Sequence, residues 1–379
     1  MGPLAGVKIV ELAGIGPGPF AGMMLSDMGA DIIRVDRAQQ VNPAMFDKTN
    51  LEPLYRGRRS IGVDLKNPEG VELVLRLVES ADALFEGFRP GVTERLGVGP
   101  DVCLARNPRL VYGLITGYGT EGPEADAPAY DIAAWWSRAG IASLLAPPGG
   151  ALPFQRGGMG DHTVAMTAAG MISAALVARE RTGRGQLVST SLLRQGAYTI
   201  GFDLNTALMW GQSIRVGTRT AMGNPCLNNY VAGDGRRFWI VGLEGERHWP
   251  PLARAVGHPE WLTDPRFATG RDRAAHAAEL VALLDEVFAT RDLASWAEVF
   301  ATEPDFFWAP VNTVDDLLSD AQFVAAGGIV EVPDGTATTP MVAMPADFHG
   351  TPGGPRRVAP RLGEHTDEVL AELGNPTAP

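Results

Sequence analysis

The chain has 379 residues, 45% of them hydrophobic and 20% charged, enough for two domains with their own cores or one large domain with insertions. Its formal net charge of −12 argues against general affinity for nucleic acid or an anionic membrane surface, so an anionic ligand needs a local basic cluster. Cys103 and Cys226 match no disulfide or metal spacing, the start lacks a secretory pattern, and no stretch of about 18 uncharged apolar residues appears; a cytoplasmic protein without a membrane span is expected.

In chain order, Val7 to Ala13 reads as a buried strand, followed by a Gly/Pro turn and a helix around Phe20 to Met28. Asp31 to Asp36 reads as the next strand, and Asn67 to Ser80 as an amphipathic helix with Pro68 near its first turn. Ala83 to Glu86 and Leu110 to Ile115 are short apolar runs of strand type. Thr163 to Arg181 is the strongest helix, apolar nearly all round and followed by Gly183, which predicts burial. Strands alternating with helices imply a mostly parallel sheet covered on both faces.

Composition shifts around 211–229, where Gly, Arg, Thr, Asn and Pro dominate. Beyond it, Phe238 to Gly242 reads as a strand, and Trp249 to Val256, His276 to Thr290 and Leu293 to Ala301 as helices. A closing helix is expected near Thr366 to Leu373. The reading is α/β: a Rossmann-like large domain over 1–210 plus 330–379, a smaller α+β domain over 225–325, and linkers at 211–224 and 326–329.

Gly16-Pro-Gly-Pro-Phe-Ala21 satisfies the G-x-G-x-x-A fingerprint between a strand and a helix, with Asp36 ending the next strand. Pyrophosphate binding there relies on backbone N–H groups, and Pro17 and Pro19 supply none. A Rossmann-like topology without a dinucleotide is therefore expected. Basic residues recur just past predicted strands and turns: Arg34, Arg37, Arg56, Arg58, Arg59, Lys66, Arg89 and Arg95. Taken singly, each belongs on a solvated surface; as a set in an acidic chain, they favour a phosphate-bearing ligand held by bidentate guanidinium groups.

Gly157-Gly-Met-Gly-Asp-His-Thr163 places a glycine-flanked aspartate directly before the long helix. Asp161 can cap that helix, be held ionised by its N-terminus, or act as a nucleophile, and these roles are compatible. Gly157, Gly158 and Gly160 would let a bulky ligand approach the backbone.

Glu11-Leu-Ala-Gly-Ile-Gly-Pro-Gly-Pro19, Gly29-Ala-Asp-Ile-Ile-Arg-Val-Asp-Arg37, Arg59-Ser-Ile-Gly-Val-Asp-Leu-Lys66 and Glu86-Gly-Phe-Arg-Pro-Gly-Val92 resemble signatures of the family III CoA-transferases. That superfamily includes formyl-CoA transferase and α-methylacyl-CoA racemase. The resemblance is dense over residues 4–200 and thinner afterwards. It implies an interlocked homodimer, with acyl-CoA and a carboxylic acid as substrates and coenzyme A entering as part of the substrate rather than as a resident cofactor; no metal is expected. Carried over residue by residue, it implies CoA contacts at Arg37, Lys66, Phe88, Arg89 and Arg95, a loop at Ile15 and Gly16 beside the thioester, and a catalytic aspartate at Asp161. Tyr130 is implied near the thioester.

Three readings follow. The first is a CoA-transferase working through a covalent aspartyl intermediate. The second is a racemase exchanging an α-proton; its histidine position carries Tyr130 here, a poor base at neutral pH, and its acidic partner would fall near Glu244 or Glu246. The third is a CoA-binding protein without catalysis, supported by departures in the small domain, where the glycine run of formyl-CoA transferase is replaced by Gly242-Leu-Glu-Gly245. Neighbours at a helix start point about 100° apart, which sets His162 away from Asp161's direction. Trp135, Trp136 and Trp210 are candidates for an acyl pocket, with core packing as the plainer role.

Overall fold

The computed structural model describes residues 2–374 apart from 44–51, 148, 215–216, 222, 304 and 336; parts of the expected linker (215–216 and 222) and of the tail (375–379) lie outside the described residues. The chain divides into two compact units, one made of Met1–Ser143, Leu152–Ile214 and Gln322–Pro379, the other of Leu144–Ala151 and Arg215–Ala321.

The first unit is built on six parallel strands: β1 (Lys8–Leu12), β2 (Asp31–Arg37), β3 (Arg59–Val63), β4 (Ala83–Glu86), β5 (Val111–Thr116) and β6 (Gln186–Ser191). Their spatial order is β3-β2-β1-β4-β5-β6, so the chain runs outward from β1 and then returns to β1's other side. That reversal opens a crevice beyond the carboxyl ends of β1 and β4. The crossovers other than that from β2 to β3 lay helices on the sheet, and both faces are buried. On one face Ile9, Ile32, Phe85 and Val111 form a core with Ala21, Leu25, Val164, Ala168 and Ile172; on the other Val10, Val35, Leu84 and Tyr112 pack with Leu73, Val74 and Leu77. Adjacent residues Ile9 and Val10 thus serve opposite cores, as the two-residue period of a strand requires.

Helix α1 (Pro17–Asp27) has Pro17 at its first position, where a missing N–H costs nothing. Helix α2 (Pro68–Ser80) is capped by Asn67, whose side chain accepts from the Glu69 N–H at 3.0 Å. Short helices α3 (Val92–Arg95) and α4 (Pro100–Arg106) follow β4, and Ile132–Arg138 forms a π-helical turn ahead of α5 (Ile141–Leu145). The long helix α6 (Met159–Thr182) starts four residues before the predicted Thr163 and ends at Gly183, whose φ of +73° only glycine adopts freely. By length and composition alone α6 could cross a bilayer; it is instead a helix packed on the sheet and on α1, with Val164, Ala165, Ala168, Ala169 and Ile172 buried. Helices α7 (Leu192–Thr199) and α8 (Gly201–Trp210) follow, and a hairpin of Ile329–Pro333 with Thr338–Val342 and a closing helix Thr366–Glu372 complete the unit.

The second unit has an antiparallel three-stranded sheet, Leu227–Val231, Arg237–Val241 and Trp308–Pro310, with helices Gly245–Ala255, Ala277–Phe288 and Leu293–Phe300. Its core is aromatic: Phe238 touches Tyr230, Phe288 and Phe300, and the Phe300 ring stacks on Trp296.

Candidate active site

The turn that delivers Asp161 is held by a second aspartate. Asp131, buried, accepts from the Gly158 N–H at 2.7 Å and from Gln155 Nε2 at 3.0 Å. Gly158 then enters α6 with φ +94° as its capping residue, and Asp161 sits in the first turn without capping any N–H. Gly160 serves packing rather than ligand access: a Cβ there would lie 2.7 Å from Trp135 Cγ. Gly157 faces open space and Gly158 meets only His162 Nε2 at 3.8 Å, so the expectation that the glycines clear a path for a bulky ligand is corrected at Gly160.

The β1–α1 loop closes on the same carboxylate. Gly16 has φ +75°, and a Cβ on it would lie 2.9 Å from Asp161 Oδ2 and 3.0 Å from Oδ1. The half-buried carboxyl is pushed up from the ordinary 3.8 to about 6, first by burial and then by the charge of Asp131. The shift thus runs against the expectation that the helix N-terminus holds Asp161 ionised. At neutral pH Asp161 is still mostly a carboxylate, held in a less favourable setting than water.

Beyond the carboxyl ends of β1, β2 and β3 lies a cavity of about 600 Å³. It is lined by Leu12 and Ala13, by Asp36 and Arg37 at the end of β2, by Val63 to Lys66, and by Phe88 and Val92. The structure thus brings Arg37, Lys66 and Phe88 together, with both cations exposed. Arg89 and Arg95 are exposed and do not line it. Ile15 projects outward from the loop, 71% exposed, beside Gly16. Tyr130 is 70% exposed, one residue before the Asp131 anchor.

Four members of the arginine series are committed elsewhere. Arg34 pairs with Asp36 at 3.0 Å, Arg56 with Asp27 at 2.5 Å, Arg58 with Glu11 at 2.5 Å, and Arg59 with Asp31, Glu368 and Glu372 at 2.8, 2.9 and 2.7 Å. They brace the sheet from within, which corrects the reading of the whole set as a phosphate cluster. Among them Arg58 bears on the site: wholly buried, it joins Glu11 at the end of β1 to the carbonyls of Leu54 and Pro19, so it fixes both ends of the Gly16 loop. Glu86 does the same for the next loop. Its carboxyl, pushed up to about 7 by burial, accepts from the Phe88 N–H at 2.6 Å and the Thr93 hydroxyl at 3.3 Å. Asp131 and Glu86 carried no site role in the sequence reading, and Arg58 was read there as part of the phosphate-binding set; for Glu86 the available signal was a charged residue closing an apolar run.

In the second unit, Glu246 accepts from the Gly270 N–H at 2.5 Å and Glu244 from Arg247 at 3.2 Å. A Cβ on Gly242 would lie 2.7 Å from the Cys226 carbonyl oxygen, so that glycine answers to close backbone packing. Trp135 and Trp136 are buried and Trp210 exposed. Among the described residues no group of three or more His, Cys, Asp or Glu side chains could hold a metal ion.

Residues 4–366 match the model of CoA-transferase family III. The succinate–glutarate CoA-transferase of Agrobacterium fabrum is 33% identical over 98% of this chain and 96% of its own length. The α-methylacyl-CoA racemase of Mus musculus is 32% identical over 98% and 93%. A crystal structure of a CAIB/BAIF family protein from Brucella suis superposes with a TM-score of 0.86 at 30% identity, covering 98% of this chain and 99% of that one. The chain belongs to CoA-transferase family III and is an enzyme of that family.

Proposed function

We propose that the chain transfers CoA from an acyl-CoA donor to a carboxylic acid through a covalent intermediate on Asp161. The observation that carries this reading is the contact between Gly16 and the Asp161 carboxylate, three residues along from the cavity that holds Arg37, Lys66 and Phe88. The pantetheine arm of a CoA bound there would pass along the Gly14 to Gly16 loop and present its thioester to Asp161.

An Asp161 oxygen attacks the thioester carbonyl carbon, the C–S bond breaks, and a mixed anhydride and CoA thiolate form. The thiolate attacks the aspartyl carbonyl and releases the donor acid as its carboxylate, leaving an aspartyl-CoA thioester. The acceptor carboxylate attacks that thioester and expels the thiolate, which then takes the acceptor acyl group and restores Asp161. Backbone N–H groups of the Gly14 to Gly18 loop and of the first turn of α6 are the candidate oxyanion donors. Hydroxylamine added during turnover should convert Asp161 to its hydroxamate, located by mass spectrometry of peptides, and Asp161→Ala should abolish turnover. Full activity in Asp161→Ala ends this reading.

The strand order supports a Rossmann-like CoA-binding domain over 1–210 and 330–379 beside a small domain over 225–325. An exposed apolar stretch on α7 and α8, including Tyr198, Phe202, Leu208 and Met209, supports the interlocked homodimer. The racemase reading draws support from Asp161 itself, because a carboxyl near 6 also suits proton transfer. α-Proton exchange in deuterated water without any acceptor acid would favour it.

A further inference from the structure

The β1–α1 connection passes the Asp161 carboxylate and continues into a second cavity. Leu12 and Ala13 line the first cavity and Gly16 lies against Asp161; Phe20, Met23 and Met24 then line a further space of about 590 Å³. Gly16 and Phe20 are about one helical turn apart, roughly 5.4 Å. Helix α6 follows the same course from the other side: His162, next after Asp161, and Met166, a turn beyond, face this space too. The segment around Met341 closes it. A thioester carbonyl held at Asp161, with its CoA side toward Arg37 and Lys66, therefore points its acyl group here.

The chemistry of the lining restricts what can enter. Among the described residues its only charged side chains are Asp27 and Arg56, and they are committed to each other, Nη2 to Oδ2 at 2.5 Å and Nε to Oδ1 at 3.3 Å. The remaining terminal nitrogen of Arg56 donates to the Val342 carbonyl at 2.7 Å. Among the described lining residues no cation is left over to pair with an incoming carboxylate, whose desolvation would go uncompensated. The third titratable group, His162, stacks on Phe20 with ring centroids 4.1 Å apart, and burial lowers its affinity for a proton, so it presents a neutral ring.

We propose that this second cavity receives the acyl group of the CoA ester and selects an uncharged, largely apolar acyl group over one ending in a second carboxylate. The proposal rests on the reading of Asp161 as the carboxylate facing the thioester.

The test is isothermal titration of full-length Asp161→Asn, which separates binding from turnover, with free CoA, hexanoyl-CoA and adipoyl-CoA. The two esters have the same chain length and differ only in the terminal carboxylate. Hexanoyl-CoA should bind at least about tenfold more tightly than adipoyl-CoA. Adding Met341→Lys should bring the ratio of the two affinities to one or below, and a ratio is insensitive to a general loss of binding. Equal affinities, or a preference for adipoyl-CoA, in Asp161→Asn alone would overturn the proposal. So would a hexanoyl-CoA preference untouched by Met341→Lys, which would place the acyl group elsewhere. Absence of any binding, free CoA included, would instead remove the CoA-site reading beneath it.

Discussion

Asp161→Asn should make the protein inactive and more stable at once. Burial and Asp131 raise the folded-state value of this carboxyl from 3.8 to about 6. A shift of roughly 2 units corresponds to about 3 kcal/mol lost on ionising Asp161 in the fold, at about 1.4 kcal/mol per unit. The carboxyl is only partly buried, and solvent screening reduces this to about 1–2 kcal/mol. Because the folded state holds the proton more tightly than the unfolded chain, stability is full below about pH 4, falls as Asp161 ionises, and has lost the whole amount above about pH 7. Asparagine keeps the shape and removes the charge. Urea unfolding at about pH 8 should therefore show the variant about 1–2 kcal/mol more stable, with close to half that difference at about pH 5. A variant no more stable than the parent at about pH 8, or a difference independent of pH, would refute the account of Asp161 as a desolvated charge.

The same shift governs rate. Release of the donor acid on formation of the aspartyl-CoA thioester, followed in a single turnover without acceptor, should rise with pH to a plateau with its midpoint near 6, because only the carboxylate attacks; a flat profile between about pH 5 and about pH 8 would contradict this. Arg58→Met leaves Glu11 buried without its partner and should cost about 3–5 kcal/mol in urea unfolding, with Glu11→Gln in the same chain recovering part of the loss. A loss under about 1 kcal/mol would remove Arg58 as the brace of the Gly16 loop.

The parallel sheet was readable where strands are mostly apolar, as in β1, β4 and β5, and where Gly and Pro punctuate them. Strand β6, Gln-Leu-Val-Ser-Thr-Ser, was not, because an edge position lets polar residues into a strand whose pairing partner is more than 70 residues away in the chain. The start of α6 was placed late for a physical reason: Gly158 and Gly160 look alike as loop residues, yet one takes a left-handed φ and the other lies within the helix against Trp135. Arg37 and Lys66 reach a common cavity with Phe88, whereas Arg56, Arg58 and Arg59 turn inward. Spacing along the chain carries no information about which carboxylate folds back to meet an arginine. Asp27 and Glu11 decide that, from 29 and 47 residues away.

The turn from Ala13 to Gly16 acts as a ruler. On the proposed reading, its length sets how far the nucleotide end of a ligand lies from the carboxylate, and it does so with peptide geometry rather than with side chains. Residues on the later turns of α1 and around Met341 can therefore change during evolution without altering that distance. On that reading, one acid could be exchanged for another while the grip on the carrier stays the same.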